Sequence, residues 1–150
     1  MKKFYNCKLK VVKEESGLYV YDNLKIRCPK DIVKMLNSKI DISSEPDEKL
    51  WIVCMDIRNN VKCFSELASG GSNICHIDLK KILKVLVMSN TSKFILVHNH
   101  PSGDVNPSRE DVKLTKRIKD NFVLLDYTML DHIIVGTDNT SYYSIMSDIL

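Results

Sequence analysis

The chain is predicted to fold as an α/β domain, a mixed β-sheet flanked by helices. Three observations predict it. Strand-like and helix-like segments interleave along the sequence rather than cluster. Two nearly unbroken apolar runs, Leu50–Ile57 and Phe94–Val97, have the character of strands covered on both faces. After Asp78, the residues Leu79, Ile82, Leu83, Leu86 and Val87 fall at i, i+3, i+4, i+7 and i+8, a single helical stripe suited to packing on such a sheet.

The elements follow in order. Residues 5–13 and 18–26 read as two strands joined at Glu15-Ser16-Gly17. Pro29 opens a helix whose inward positions include Ile32, Val33, Met35 and Leu36. Residues 42–48 are a polar loop, and Leu50–Ile57, with Trp51, is a buried strand. Arg58-Asn59-Asn60 turns that strand into Val61–Phe64 as a hairpin. Ala68–Asn73, rich in glycine and serine, reads as a flexible loop. Asp78 caps the helix that follows, and residues 93–98 form the next strand. Pro107 begins a helix reaching about Lys119, with Leu114 and Ile118 on the same side as Asp111. Phe122–Asp126, His132–Gly136 and Tyr142–Ile145 are read as closing strands.

Composition narrows the class. At 150 residues the chain suits one domain with a substantial core, and 44% hydrophobic with 27% charged residues is ordinary for a globular protein. A net charge of +3 gives only weak support for a nucleic-acid partner. The five cysteines form no C-x-x-C pair, and an odd, scattered set suits reduced thiols in a cytoplasmic protein. Met1-Lys2-Lys3 is followed by no apolar h-region, so no signal peptide is expected. The apolar runs fall far short of the ~20 residues a membrane span requires.

The segment richest in chemistry is His98-Asn99-His100-Pro101-Ser102-Gly103-Asp104, continuing to Pro107-Ser108 and Asp111. Side chains at i and i+2 of a strand share a face, with Cα atoms ~6.6 Å apart at ~3.3 Å rise per residue. Two imidazoles there can converge on one divalent ion. Pro101, Gly103 and Pro107 end the strand and turn the chain back, which puts Asp111 in the first turn of a helix near the histidines. Two histidines, one carboxylate and an open position for water is the donor pattern of a catalytic zinc. A plainer reading stands beside it: Ser108-x-x-Asp111 is also a capping box, which alone accounts for both residues. An HNH nuclease is not indicated, since the letters are contiguous here. The H-x-E and P-C-x-x-C pattern of a nucleobase deaminase is missing.

With the motif placed, the sequence resembles the RadC-type JAB/MPN family, whose members share the JAMM metalloprotease signature. The resemblance rests on His98-x-His100, the surrounding HNHPSGD, Pro107-Ser108 and Asp111, and on Leu130-Asp131-His132-Ile133-Ile134-Val135-Gly136 as a second block. Gly71-Ser72-Asn73 matches a family Gly-Thr-rich turn less closely. The similarity runs from about Cys28 to Ile145, which divides the chain into a strand pair at 1–27 and a RadC-like JAB/MPN domain at 28–150. The helix-hairpin-helix-like region of longer RadC proteins has no counterpart in residues 1–27, so a free-standing JAB domain is expected.

The resemblance implies a cytidine-deaminase-like architecture and a Zn²⁺ held by His98, His100 and Asp111. It implies Glu48 as general base, with Glu45 the nearby competitor, and Ser108 as a donor to the oxyanion or to the zinc's water. The reaction implied is hydrolysis of peptide or isopeptide bonds, with a protein or peptide substrate. The alternative is a non-catalytic JAB-fold module associated with DNA repair or mobile-element DNA. His132 reads either as a group approaching the site, behind the metal or on its substrate side, or as a hydrogen-bonded strand histidine beside Asp131. His76 reads as structural. Arg109, Lys113, Lys116 and Arg117 read as a solvated face or as a contact for DNA or an acidic protein.

Overall fold

A computed structural model of the chain describes residues 18–149. The elements in order are β1 (Leu18–Lys25), α1 (Pro29–Ile40), a 3-10 turn (Ile42–Ser44), β2 (Lys49–Met55), β3 (Asn60–Ser69), α2 (Gly71–Cys75), α3 (Leu79–Ser89), β4 (Lys93–Asn99), α4 (Arg109–Val123), β5 (Thr128–Val135), β6 (Tyr142–Ser144) and α5 (Met146–Ile149). Among the described residues, six strands form one mixed sheet in the order β1-β3-β2-β4-β5-β6. Among these described strands only the β4–β5 pair is parallel, and α4 is the crossover between its strands. The expected strand at 5–13 lies outside the described residues; that at 18–26 is β1, antiparallel to β3.

Side-chain alternation in the central strands sorts the core into two layers. Trp51, Val53 and Met55 of β2 and Ile95 and Val97 of β4 pack with Ile32, Val33, Met35 and Leu36 of α1. Leu50, Ile52 and Cys54 of β2 and Phe94 and Leu96 of β4 pack with Ile82 and Leu86 of α3 and Leu114, Ile118 and Phe122 of α4. Both strands are thus covered on each side, which explains their unbroken apolar runs. Each flanking helix is stopped where the chain needs it. Pro29 stands in the first turn of α1, and the helix ends at Asp41 in the left-handed region, with φ 50°. Asp78 accepts from the Lys80 amide to cap α3, and Asn90 closes it with φ 52°.

Four local expectations are corrected. Ala68–Asn73 is not a loop: β3 continues to Ser69, and Gly71 opens the short helix α2. The helix expected over 107–119 is Arg109–Val123, with Ser108 as its cap. No strand covers Phe122–Asp126. Phe122 continues the inward stripe Leu114, Ile118 of α4 and meets Phe94 edge-on, with ring centroids 5.5 Å apart. Val123, Leu124 and Leu125 are exposed, and Asp126, with φ 60°, turns the chain into β5. Burial by a single aromatic, not by a strand, accounts for that apolar run. Val87 also lies off the buried stripe of α3 and is half-exposed. Among the described residues, no helix is long and apolar enough to cross a membrane.

Candidate metal centre

The alternation that sends Phe94 and Leu96 toward α4 carries on to His98 and His100. Asn99, between them, turns the other way. Its carboxamide oxygen accepts from the Lys49 amide at 2.9 Å, and its Nδ2 donates to the carbonyls of Glu45 at 3.2 Å and Asp47 at 3.0 Å. One buried side chain therefore fixes the loop that carries Glu48. Beyond β4, the His100 amide donates to the Val135 carbonyl at 2.9 Å, and the Gly103 amide donates back to the His100 carbonyl at 2.9 Å. Gly103 has φ +83°, a conformation that side chains disfavour. This turn brings the Asp104 carbonyl to 2.6 Å from His100 Nδ1. A carbonyl can only accept, so Nδ1 carries hydrogen, and the neutral ring presents a bare Nε2.

At the start of α4, Ser108 and Asp111 form a reciprocal cap. The Ser108 amide and hydroxyl each donate to Asp111 Oδ2 at 2.7 Å, and the Asp111 amide donates to Ser108 Oγ at 3.1 Å. The capping-box reading of these two residues therefore holds, and the Ser108 hydroxyl is committed to Asp111. The same contacts aim the carboxylate at the histidines. His98 Nε2 lies 3.0 Å from His100 Nε2 and 3.4 Å from Asp111 Oδ1, and His100 Nε2 lies 3.7 Å from Asp111 Oδ2. Ligand atoms of a tetrahedral ion with ~2.0–2.1 Å bonds stand about 3.3 Å apart, so these spacings suit a common metal.

Glu48 joins from the β2 side. One ligand atom from each of Glu48, His98, His100 and Asp111 lies within 4.8 Å of all the others, a group that could hold a metal ion. Its carboxylate stands against the first residue of α2, where a Cβ on Gly71 would meet Glu48 Oε2 at 2.7 Å. Glycine at this position is thus what leaves room for the acid. Glu45 is ion-paired to Lys49 at 2.8 Å and stands outside the group, so the two acids named by sequence are separated by geometry. His76, the C-cap of α2, is also outside it.

The electrostatics fit metal binding. Burial lowers the pKa of His98 to about 4. Burial pushes the Asp111 carboxyl up, but His100, His98 and the bonds from Ser108 outweigh it and hold it well below the usual carboxylate range. At neutral pH a neutral imidazole and an ionised carboxylate follow, the forms a metal requires. Contact with Asp111 raises the pKa of His100. Burial, with the Asp111 charge behind it, raises that of Glu48.

His132 is fully buried on the α4 side of β5. Its Nε2 lies 2.8 Å from His98 Nδ1, and its Nδ1 lies 2.6 Å from Thr115 Oγ1. Asp131 touches only the His132 backbone amide, at 2.7 Å, and otherwise accepts from Ser144 and Met146. The ring's partners are therefore a candidate ligand and a threonine, not its neighbouring acid. Arg109, Lys113 and Lys116 are exposed on α4, whereas Arg117 donates to the Ile77 carbonyl at 3.2 Å.

Residues 26–149 match the sequence profile of the RadC-like JAB domain. The chain belongs to the RadC-like JAB domain family. Similar proteins include UPF0758 proteins of Coprothermobacter proteolyticus, 37% identical over 77% of this chain and 50% of the relative, and of Caldanaerobacter subterraneus subsp. tengcongensis, 32% identical over 77% and 48%. A UPF0758 protein of Methanosarcina barkeri is 32% identical over 75% of this chain and 48% of the relative. The chain spans about half the length of these curated relatives. The match to the RadC-like JAB domain takes in all four candidate ligands, His132 and Thr115.

Three residues with a part in this JAB-domain site carry no site role in the sequence: Asn99 and Gly71, which stand there only as members of matched segments, and Thr115. Two carried a signal. Asn99 is a polar residue at the inward position of a covered strand, and Thr115 is a polar residue on the buried stripe of α4. Buried polar groups are hydrogen-bonded, so each implied a partner that local pattern could not name.

Proposed function

We propose that this RadC-like JAB domain is a zinc-dependent hydrolase that cleaves peptide or isopeptide bonds. The observation that carries the reading is the convergence of Glu48, His98, His100 and Asp111 within 4.8 Å, drawn from the loop before β2, the end of β4, the turn beyond it and the start of α4. The donor set of two imidazoles and carboxylates matches catalytic zinc sites, and few purely structural needs bring such groups together. His98, His100 and Asp111 would hold the ion. Zinc there supplies Lewis acidity and lowers the pKa of a coordinated water toward ~7.

The remaining work falls to the chain. Glu48, with its pKa raised by burial, is suited to take a proton from the attacking water and return it to the leaving amine. Asn99 keeps that carboxylate in place by holding its loop. The Ser108 hydroxyl, bound to Asp111 Oδ2, stands at the start of α4, where amide groups also favour developing negative charge; turning from Asp111 would let it serve an oxyanion.

The test is Glu48→Gln with peptide and isopeptide substrates. Zinc should remain at wild-type stoichiometry while turnover falls roughly 10²- to 10⁴-fold. Retained turnover would remove Glu48 as the base. Zinc binding without turnover of any amide substrate in the wild type would favour the non-catalytic alternative, a JAB-fold module acting by contact with protein or DNA.

A further inference from the structure

Behind His98 lies a buried chain of polar side chains that ends on the backbone of Asp111. The geometry points to Thr115, acting through His132, as the residue that sets the tautomer and ring orientation of His98. The inference rests on the reading of His98 as a metal ligand. The proton placement itself follows from the hydrogen bonds together with the burial of an uncharged His132 ring.

The chain can be solved from its far end. Thr115 Oγ1 lies 2.7 Å from the Asp111 carbonyl oxygen and 2.6 Å from His132 Nδ1. A carbonyl carries no hydrogen, so the one hydroxyl proton of Thr115 must point at Asp111. Otherwise two oxygen lone pairs would face each other at 2.7 Å. Thr115 Oγ1 can then only accept from His132, and His132 Nδ1 carries hydrogen. His132 is fully buried, and its ring partners are an imidazole and a hydroxyl rather than a carboxylate. A second proton on that ring would place an uncompensated charge in the core. Its Nε2 is therefore bare and accepts from His98 Nδ1 at 2.8 Å. His98, neutral and likewise fully buried, is left with a bare Nε2, 3.4 Å from Asp111 Oδ1 and 3.0 Å from His100 Nε2, where a proton on His100 or a cation must stand between the two rings.

The direction matters because the opposite one would be inert. With the proton on Nε2, His98 would present a hydrogen to the metal position and could not coordinate. Metal-binding histidines in general depend on the bond made by the other ring nitrogen. Here that bond leads through a second histidine to a hydroxyl whose orientation is fixed by the carbonyl of another candidate ligand. Two ligands, one from β4 and one from α4, are thus coupled from behind. Thr115 is a positioning residue; it does not touch the metal position. A threonine bonded to the carbonyl four residues earlier is by itself an ordinary helical feature. What distinguishes this one is the ring that hangs from it.

The experiment uses the metal-free full chain at pH 8, with ¹⁵N-labelled histidine, and compares wild type, Thr115→Val and Thr115→Ser. Ring-nitrogen shifts report the tautomer, and titration with zinc against a chromogenic chelator reports affinity. The wild type should show His98 and His132 both protonated at Nδ1. Thr115→Val keeps the shape but removes the acceptor, so His132 should lose its single tautomer, His98 should become mixed, and zinc affinity should fall roughly 10- to 100-fold. Thr115→Ser should restore both readouts. His98 protonated at Nε2 in the wild type would overturn the inference, whether or not the valine variant folds. So would a valine variant with unchanged tautomers and affinity. If the tautomers behave as described and the wild type takes up no zinc, the relay stands and the metal reading fails.

Discussion

The two faces of the sheet are built on different physics. On the α1 face, Leu36, Trp51, Val53, Phe64, Ile95 and Val97 form a layer of hydrocarbon and rings. On the α4 face the same kind of layer runs from Phe94 and Leu96 to His98, where it gives way to Asp111, Thr115 and His132, all buried. Hydrophobic burial is non-directional and scales with area, so the first face tolerates many solutions. Buried polar groups need specific partners at specific angles, so the end of the second face has few. The site sits where one face changes from the first regime to the second.

Perturbing each face should therefore give a different kind of loss. Leu36→Ala, at a fully buried position of α1, should cost about 2–5 kcal/mol in urea unfolding and leave zinc affinity unchanged. A matching loss of affinity would mean that the two faces are not separable.

Between neutral pH and about pH 4.5, acid should act chiefly on the histidines of the α4 face. His98 has its pKa lowered to about 4 in the folded chain against an ordinary ~6.5 unfolded. Above pH ~6.5 both states are neutral and its contribution is intact. As pH falls from ~6.5 to ~4 the unfolded chain takes up the proton first, and the metal-free protein loses roughly 3 kcal/mol from this group. His132 works in the same sense. His100 works against them: its pKa is raised by Asp111, so its contribution is present below ~6.5 and lost as pH rises. Urea midpoints at pH 7.5 and 4.5 should differ accordingly, and Leu36→Ala should shift both equally. A midpoint that rises in acid would contradict the buried neutral state of His98.

Asn99→Ala sharpens the contrast within one strand. It leaves the Lys49 amide and the Glu45 and Asp47 carbonyls without their partner, at a cost of about 1–3 kcal/mol. Turnover should fall further than stability explains, because Glu48 loses its support, while zinc content holds. Wild-type turnover in this variant would free Glu48 from Asn99. The smallest effect belongs to the exposed cations. Lys113→Glu with Lys116→Glu should change stability by less than about 0.5 kcal/mol. If DNA binds the chain with a steep salt dependence that this pair removes, the basic side of α4 is a contact surface; if binding is weak and flat, it is a solvated face.

The sequence was most legible where the physics is least directional. Nearly unbroken apolar runs placed β2 and β4, and the stripe beginning at Leu79 placed α3. It misled at Phe122–Asp126, where apolar residues follow one another but only Phe122 finds the core. His98, His100 and Asp111 could be brought together by spacing because one loop connects them. Glu48 came only through the family resemblance, since its approach depends on a loop held by a residue about 50 positions away. The Thr115–His132–His98 chain joins three elements, and no pattern local to any of them contains it.

Metal content tests the central claim most directly. Purified wild-type protein should carry one zinc per chain, with an anomalous peak at the zinc edge between His98 Nε2, His100 Nε2 and the Asp111 carboxylate. Asp111→Asn should lose both the zinc and the peak. A wild type without stoichiometric zinc, or an Asp111→Asn variant that holds it undiminished, would contradict a metal centre at this site.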